Sequence, residues 1–393
     1  GFDLVVLGAV IPTLLSTGAL GFTESSVPLA ATLGLVGVGL GAVAIGPLTD
    51  RFGRRRTLIA CIAWFSVTTL LIAVAPTPTV FTTLRFLAGL GLGACLPTAL
   101  AYMSEHAREG RRGSAVTRMM TGYHVGAVLT ALLALLLVDR FGWEAMFVVG
   151  GVAGLVVVPL MAWKLPESEA FLAAREARAA TGGVTATTAA PVRSSAVLQG
   201  GYLRISLGLW VASFMGLLLV YGLNTWLPTI MEAAEYSISA GIGLLLALNV
   251  GAVIGLVVAG GVADARGTKP VVLAWFGIAA VFLAALSIRI ESTVLVYAAV
   301  TLAGVFVFSA QVLVYAFVGH LYPPEIRGTA LGLAAGVGRV GAIVGPSLGG
   351  ALVAAELAYP WGFYIFALAA VLAVVALAVV PAHGPAARSQ DPA

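Results

Sequence analysis

Twelve long apolar runs divide this chain of 393 residues, and they constrain its fold more than any other feature. The runs lie at about residues 1–18, 28–49, 57–75, 79–104, 113–138, 143–163, 203–227, 238–263, 270–288, 293–319, 328–354 and 361–380. A helix rises about 1.5 Å per residue, so about 20 apolar residues cross a hydrocarbon core of roughly 30 Å. The runs therefore predict an all-α membrane protein with twelve transmembrane helices.

The composition argues against a soluble protein. Hydrophobic residues make up 60% of the chain and charged residues 10%, whereas a soluble chain carries roughly a quarter charged residues. The formal net charge of +4 does not indicate nucleic-acid binding, because the basic residues lie in short loops and form no stripe along a helix. Cys61 and Cys95 fall inside apolar runs without the spacing of a disulfide or metal motif, so we expect free thiols and no metal site.

The positions of Lys and Arg predict the orientation, since short cytoplasmic loops hold an excess of both. If the longest polar segment, Lys164 to about Gly201, is cytoplasmic, sixteen of the 21 basic residues lie on that side. Arg140 and Arg289 lie on the opposite side, and the remaining three lie within helices. We therefore predict a multi-pass protein of the cell membrane with both termini cytoplasmic.

Short motifs recur along the chain at an offset of 214 or 215 residues. The pairs are Gly46–Gly53 with Gly260–Gly267, Leu87–Gly89 with Leu302–Gly304, Arg112–Ala115 with Arg327–Ala330, and Val125–Ala127 with Val340–Ala342. Both copies have the same predicted cytoplasmic placement, which indicates a parallel repeat about an axis along the membrane normal. We predict six-helix bundles at 1–163 and 202–382, a cytoplasmic central loop at 164–201 and a cytoplasmic tail at 383–393.

One loop carries a family signature. The sequence Gly46-Pro-Leu-Thr-Asp50-Arg51-Phe-Gly53-Arg54-Arg55-Arg56 closely resembles the loop motif of the major facilitator superfamily. The resemblance implies the major facilitator fold and a gating role, in which an aspartate among arginines forms an ion-pair latch. The gating residues it implies are Gly46, Asp50, Arg51, Gly53 and Arg54, with Asp264 and Gly267 in the second copy. The alternative is that the arginines only enforce the positive-inside orientation.

Other stretches resemble one branch of that superfamily, the aromatic acid:proton symporter family of benzoate, hydroxybenzoate and protocatechuate permeases. They are Gly1–Pro12, Arg85–Pro97 and Asn224–Met231, and Leu165–Ser168 and Tyr322–Ala330 fit as well. The resemblance implies import of a small aromatic carboxylate together with protons. The family's first-helix motif, Asp-Gly-Phe-Asp, is present here only from Gly1 to Asp3, and we expect the native N-terminus to lie upstream.

Ionisable residues inside the bilayer are expensive and are candidates for function. Arg339 lies about 11 residues into a helix that begins near Gly328, on the order of 16 Å deep, and His124 occupies the equivalent position in the first half. Together they could hold a carboxylate, with guanidinium as the bidentate fork and histidine as a titratable donor. The alternative is that each pairs with a backbone carbonyl or a hydroxyl for structure.

The remaining candidates lie on other helices. By resemblance Asp3 carries the proton, and the alternative is a solvated residue at the inner end of its helix. Arg85 pairs with Asp3, binds the substrate or extends to the outer interface. Asn249 hydrogen-bonds either the substrate or a neighbouring helix. Gln311 and Tyr315 are further substrate-binding candidates.

Neither a phosphate-cradling loop nor a catalytic dyad is visible in the sequence, so we expect secondary active transport without a cofactor. A membrane enzyme is therefore not expected. We also expect a monomer. The alternatives within transport are another organic anion, a sugar or a drug. Outside transport, the alternative is a membrane sensor or scaffold.

Overall fold

A computed structural model of the protein describes residues 1–22, 26–108, 110–169, 171–173, 176, 197–235, 238–289 and 292–384. Most of the predicted central loop and tail lies outside these residues, including Arg175, Arg178, Arg193 and Arg388. The described residues form twelve long helices and a 3-10 turn at Ala19–Gly21. The helices are α1 Phe2–Ser16, α2 Ser26–Phe52, α3 Arg54–Ile72, α4 Pro78–His106, α5 Arg112–Phe141, α6 Glu144–Lys164, α7 Gly200–Ala233, α8 Ile238–Arg266, α9 Thr268–Ala285, α10 Thr293–Leu321, α11 Pro324–Ala354 and α12 Trp361–Ala378.

Each predicted apolar run corresponds to one helix. By length and composition over the described residues, ten of the helices can cross a membrane, and α1 and α5 are not among those ten. Exposed large side chains such as Trp163, Val294 and Leu246 are apolar, as expected where a helix faces lipid rather than water.

The chain forms two compact units. Unit 1 comprises Gly1–His106, Thr121–Ser194 and Pro324–Gly336, and unit 2 comprises Ala107–Met120, Ser195–Pro323 and Val337–Ala393. The first part of α5 therefore packs in unit 2, and the first part of α11 packs in unit 1. The sequence places the bundle boundaries at 163 and 202, and these boundaries assign the first part of α5 to the first bundle and the first part of α11 to the second. The predicted boundaries stay a prediction.

In unit 1, α2 packs along α4 through glycines. A Cβ atom added to Gly37 or Gly41 of α2 would overlap the backbone of α4, and one added to Gly93 of α4 would overlap Val38 O. Close approach of backbones through small residues is a common way for membrane helices to associate. An aromatic cluster of Phe22, Phe81, Trp143 and Phe147, with ring centroids 5.1–5.8 Å apart, packs beside Val6, Val10 and Leu14 of α1 and so positions that helix.

Unit 2 repeats this packing with α8 and α10. A Cβ atom on Gly251 or Gly255 would overlap Thr301 O or Val305 O, and one on Gly304 would overlap Leu248 O. These glycines follow Gly37, Gly41 and Gly89 at 214 or 215 residues. The repeat seen in the sequence is therefore also a repeat of helix packing.

Candidate functional site: buried polar groups of the two units

A buried ion pair lies near the start of α1. Asp3 and Arg85 of α4 are each 6% exposed, and Arg85 Nη1 lies 3.4 Å from Asp3 Oδ1 and 3.2 Å from Asp3 O. Thr69 of α3 donates its hydroxyl to the other carboxylate oxygen, Asp3 Oδ2, at 3.1 Å. The structure thus brings Asp3 and Arg85 together, which is one of the three roles that the sequence left open for Arg85.

Thr69 was not predicted as part of this site. Its signal in the sequence is weak, because a hydroxyl in an apolar helix usually bonds a carbonyl of its own helix. The neighbouring Thr68 does so, donating to Trp64 O at 2.9 Å. Thr69 instead contacts a carboxylate from another helix, and the sequence alone does not separate the two cases.

The second buried cation is Arg339 of α11, in unit 2. It is 6% exposed, its Nη1 donates to the hydroxyl of Tyr221 at 2.7 Å, and its guanidinium carbon lies 5.8 Å from the Tyr221 ring centroid. Tyr221 belongs to α7, so the contact joins α7 to α11. A guanidinium held against an aromatic ring keeps a planar fork in one orientation.

A polar group from α7 and α10 adjoins this arginine. Tyr315 is 2% exposed and lies close to Arg339, Gln311 and Ser213. Gln311 Nε2 lies 3.4 Å from Ser213 Oγ, and Gln311 Oε1 has no partner among the described atoms. Two predicted residues, Gln311 and Tyr315, thus lie one helical turn apart in the same cluster, while Ser213 was not predicted.

Asn249 of α8 takes part in a contact between helices. Its Nδ2 donates to Asn224 Oδ1 of α7 at 3.0 Å and to Leu245 O at 2.9 Å. The structure thus shows the helix-to-helix bond that was one alternative for Asn249, and its contact with a substrate stays a prediction.

His124 lies on the part of α5 that belongs to unit 1. It is partly buried, and its ring meets that of Tyr123 edge to face at 5.4 Å. The predicted cooperation of His124 with Arg339 stays a prediction.

Around Asp50, the predicted gating residues form a buried network in unit 1. Asp50 accepts hydrogen bonds from Gly328 N at 3.2 Å, Thr329 N at 3.0 Å and Thr329 Oγ1 at 2.8 Å, in the second turn of α11. Arg54 forms ion pairs with Asp50 at 3.1 Å and with Glu105 at 3.0 Å. Gly328 and Thr329 are the fifth and sixth residues of α11, so Asp50 ties α2 to the second turn of that helix.

Glu105 extends this network. Its carboxylate pairs with Arg327 at 3.4 Å and accepts from Ser168 Oγ at 2.5 Å. By contrast Arg51 is exposed, and its guanidinium lies over the Phe52 ring at 5.3 Å. The described ion pairs of the network thus join Arg54 and Arg327 to the carboxylates of Asp50 and Glu105.

Asp264 repeats the Asp50 contacts in unit 2. Its carboxylate accepts from Gly113 N at 2.8 Å, Ser114 N at 2.9 Å and Ser114 Oγ at 2.5 Å, at the start of α5. Gly53 and Gly267, which follow the two aspartates, have φ of 96° and 88°, a backbone conformation that favours glycine. A Cβ on Gly46 would overlap Thr329 and one on its counterpart Gly260 would overlap Ser114. The two copies of the motif thus make equivalent contacts.

Comparison with known proteins decides the family. The model of the Major Facilitator Superfamily matches residues 1–254 and 240–393, which together cover the whole chain. The chain belongs to the major facilitator superfamily. This confirms the predicted fold class and makes the chain a multi-pass transporter of that superfamily.

Relatives within the superfamily match over nearly the whole chain. A gentisate transporter of Corynebacterium glutamicum is 37% identical over 388 residues, which are 97% of this chain and 84% of that protein. A gallate transporter of Pseudomonas putida is 32% identical, covering 96% and 88%. A benzoate transport protein of Acinetobacter baylyi is 31% identical, covering 97% and 86%. The predicted resemblance to the aromatic acid branch is confirmed by these relatives.

Solved structures agree on the fold. The proton:xylose symporter XylE, bound to 6-bromo-6-deoxy-D-glucose, gives a TM-score of 0.74 at 18% identity, covering 97% of this chain and 92% of that one. The human organic anion transporter MFSD10 gives 0.70 at 16% identity, covering 96% of each chain. At these identities the likeness shows the major facilitator fold alone.

Proposed function

We propose that this major facilitator protein imports a small aromatic carboxylate together with protons, by alternating access. In this proposal it acts as a monomer in the cell membrane, with both termini cytoplasmic, and catalyses no reaction. The gentisate, gallate and benzoate transporters among its relatives are named for substrates of one chemistry, a carboxylate on an aromatic ring. Asp50 and Asp264, at equivalent positions of the repeat, are the proposed gating residues.

The observation that carries the substrate proposal is the buried Arg339 beside Tyr221. A guanidinium can bind a carboxylate through two parallel hydrogen bonds, and an aromatic ring at its side suits an aromatic substrate. Tyr315 and Gln311 add polar groups next to this position, and we propose them, with Asn249 and His124, as further substrate contacts.

Asp3 is the proposed proton carrier. A buried carboxylate opposite Arg85 can exist charged, paired with the guanidinium, or neutral after protonation, and the exchange between these forms can couple proton movement to conformational change. Thr69 would hold the carboxylate in one orientation through its hydrogen bond.

Uptake of radiolabelled benzoate, 4-hydroxybenzoate and gentisate by cells expressing the full-length protein tests this function, with and without a protonophore. We expect accumulation of at least one of these acids that collapses with the protonophore. If none is taken up while the protein is shown to be in the membrane, the proposal is wrong, and other organic anions, sugars and drugs are tested next.

Variants at Arg339 test the substrate contact. A charge-assisted hydrogen bond contributes about 1.5–3 kcal/mol, so uptake at low substrate should fall about tenfold or more in Arg339→Ala. Arg339→Lys keeps the charge and should retain part of the uptake. The matched control is Arg289→Gln, which removes an exposed arginine and should leave uptake unchanged. Full activity in both Arg339 variants contradicts the assignment.

A further inference from the structure

Along the surface of unit 1 runs an apolar groove between α2, α3 and α4, separate from the ion pair of Asp3 and from the network of Asp50. Its volume is about 600 Å³. The floor consists of small residues, among them Gly41, Gly91 and Ala94, and the walls include Leu48, Phe52 and Trp64. We call this feature the α2–α4 groove.

The α2–α4 groove presents apolar surface that the described protein does not cover. Leu48, Phe52 and Trp64 are 45%, 49% and 50% exposed. The indole of Trp64 donates its N–H to Leu87 O at 2.8 Å, so its polar edge is satisfied and its ring is held at the groove wall. In a membrane protein such a surface faces hydrocarbon, so the occupant of the groove is apolar over most of its length.

One end of the groove is cationic. Arg56 lines that end and is exposed, and Arg51 lies over Phe52, a wall residue, at 5.3 Å. The α3 helix begins at Arg54, and the N–H of Arg55 in its first turn donates to Glu167 Oε1 at 3.0 Å. Because a carboxylate already occupies the helix terminus, the cationic end of the groove consists of Arg56 and Arg51. The same end lies on the predicted cytoplasmic side.

We propose that the α2–α4 groove binds an anionic glycerophospholipid. An acyl chain lies along Leu48 and Trp64, and the phosphate group lies at Arg56. The argument is charge complementarity: an apolar groove with arginine at one end matches a molecule with a hydrocarbon tail and a negative head. Basic pockets between helices on the cytoplasmic side of a membrane are known to bind anionic headgroups. A zwitterionic lipid would fill the groove but would gain less from the cationic end.

Quenching of Trp64 fluorescence tests the proposal on the full chain. The protein is reconstituted in phosphatidylcholine vesicles with increasing mole fractions of brominated phosphatidylglycerol or, separately, brominated phosphatidylcholine. The signal of Trp64 is the difference between the parent protein and Trp64→Phe. We expect brominated phosphatidylglycerol to quench Trp64 at about fivefold lower mole fraction, since one basic residue near anionic lipid contributes about 1 kcal/mol.

Matched variants locate the phosphate and the acyl chain. Arg56→Gln should abolish the preference for phosphatidylglycerol, whereas Arg56→Lys and Arg111→Gln, an exposed arginine outside the groove, should keep it. Ala60→Leu, which fills the groove from its exposed side, should reduce quenching by both lipids. Ala153→Leu, on the exposed face of α6, should not.

Three outcomes overturn the proposal. Equal quenching by the two lipids means a non-selective lipid surface, and a preference unchanged in Arg56→Gln places the phosphate elsewhere. Absence of quenching by either lipid means that another occupant, such as a second copy of the chain, covers the groove. None of these outcomes depends on whether the protein transports aromatic acids.

Discussion

Asp3 and Arg85 form a buried ion pair inside the membrane, in which each charge compensates the other. Both are buried, and the carboxylate is also bonded by Thr69. Removing one member of a buried ion pair leaves an uncompensated charge and costs about 3–5 kcal/mol. A variant at this site therefore changes stability as well as coupling, and the two effects need separate measurements.

We predict that Asp3→Asn abolishes accumulation of benzoate against its gradient but preserves exchange of internal for external benzoate. Exchange needs no net proton movement, so the loss of a titratable group should not prevent it. Both are measured in vesicles, with the amount of folded protein determined alongside. The double variant Asp3→Asn with Arg85→Gln removes both charges, and we expect it to recover folded protein without recovering accumulation. Accumulation by Asp3→Asn would exclude Asp3 from the proton path.

At the scale of the helix, Asp50 and Asp264 make the same kind of hydrogen bonds at equivalent positions of the repeat, but their surroundings differ. Both accept two backbone N–H groups and one hydroxyl. The donors to Asp264 lie in the first turn of α5, and the donors to Asp50 lie in the second turn of α11. Asp50 also forms an ion pair with Arg54, which in turn is paired with Glu105. The described contacts of Asp264 are with the backbone and Ser114.

We therefore predict that Asp50→Asn destabilises the protein more than Asp264→Asn. At Asp264, loss of a charge at a helix N-terminus costs about 0.3–2 kcal/mol. At Asp50, the loss removes one carboxylate partner of the buried Arg54, and breaking a buried ion pair costs about 3–5 kcal/mol. Unfolding by denaturant in detergent micelles measures the difference. Glu325→Gln, which removes another carboxylate from the first turn of α11, serves as the control and should have a smaller effect than Asp50→Asn. An equal loss in the two aspartate variants would mean that the Arg54 pair does not contribute.

At the scale of the whole molecule, the helices and the repeat could be predicted from sequence for simple physical reasons. Each span needs about 20 apolar residues, so each of the twelve apolar runs predicts one of the twelve described helices. Equivalent helix pairs in the two halves pack through equivalent glycines, so the repeat is visible in the sequence. The exchange of the first parts of α5 and α11 between the units could not be predicted, because hydropathy reports burial in lipid and not the packing partner. Asp3 and Arg85 could be named as candidates because a charged residue in an apolar run is unusual. Thr69 and Ser213 were missed because a hydroxyl in an apolar helix usually bonds a carbonyl of its own helix.

The orientation of the molecule is also a prediction, and it depends on charge alone. Arg54 to Arg56 lie at the start of α3, and Arg289 follows α9 on the opposite predicted side. We expect green fluorescent protein fused after Gly384 to fluoresce, because it folds in the cytoplasm. Alkaline phosphatase inserted after Arg289 should be active, because it requires the outer side. Exchanging the two reporters provides the control, since each should then fail. Phosphatase activity at Gly384 would reverse the topology and move the Asp50 network, and with it the cationic end of the α2–α4 groove, to the outer face.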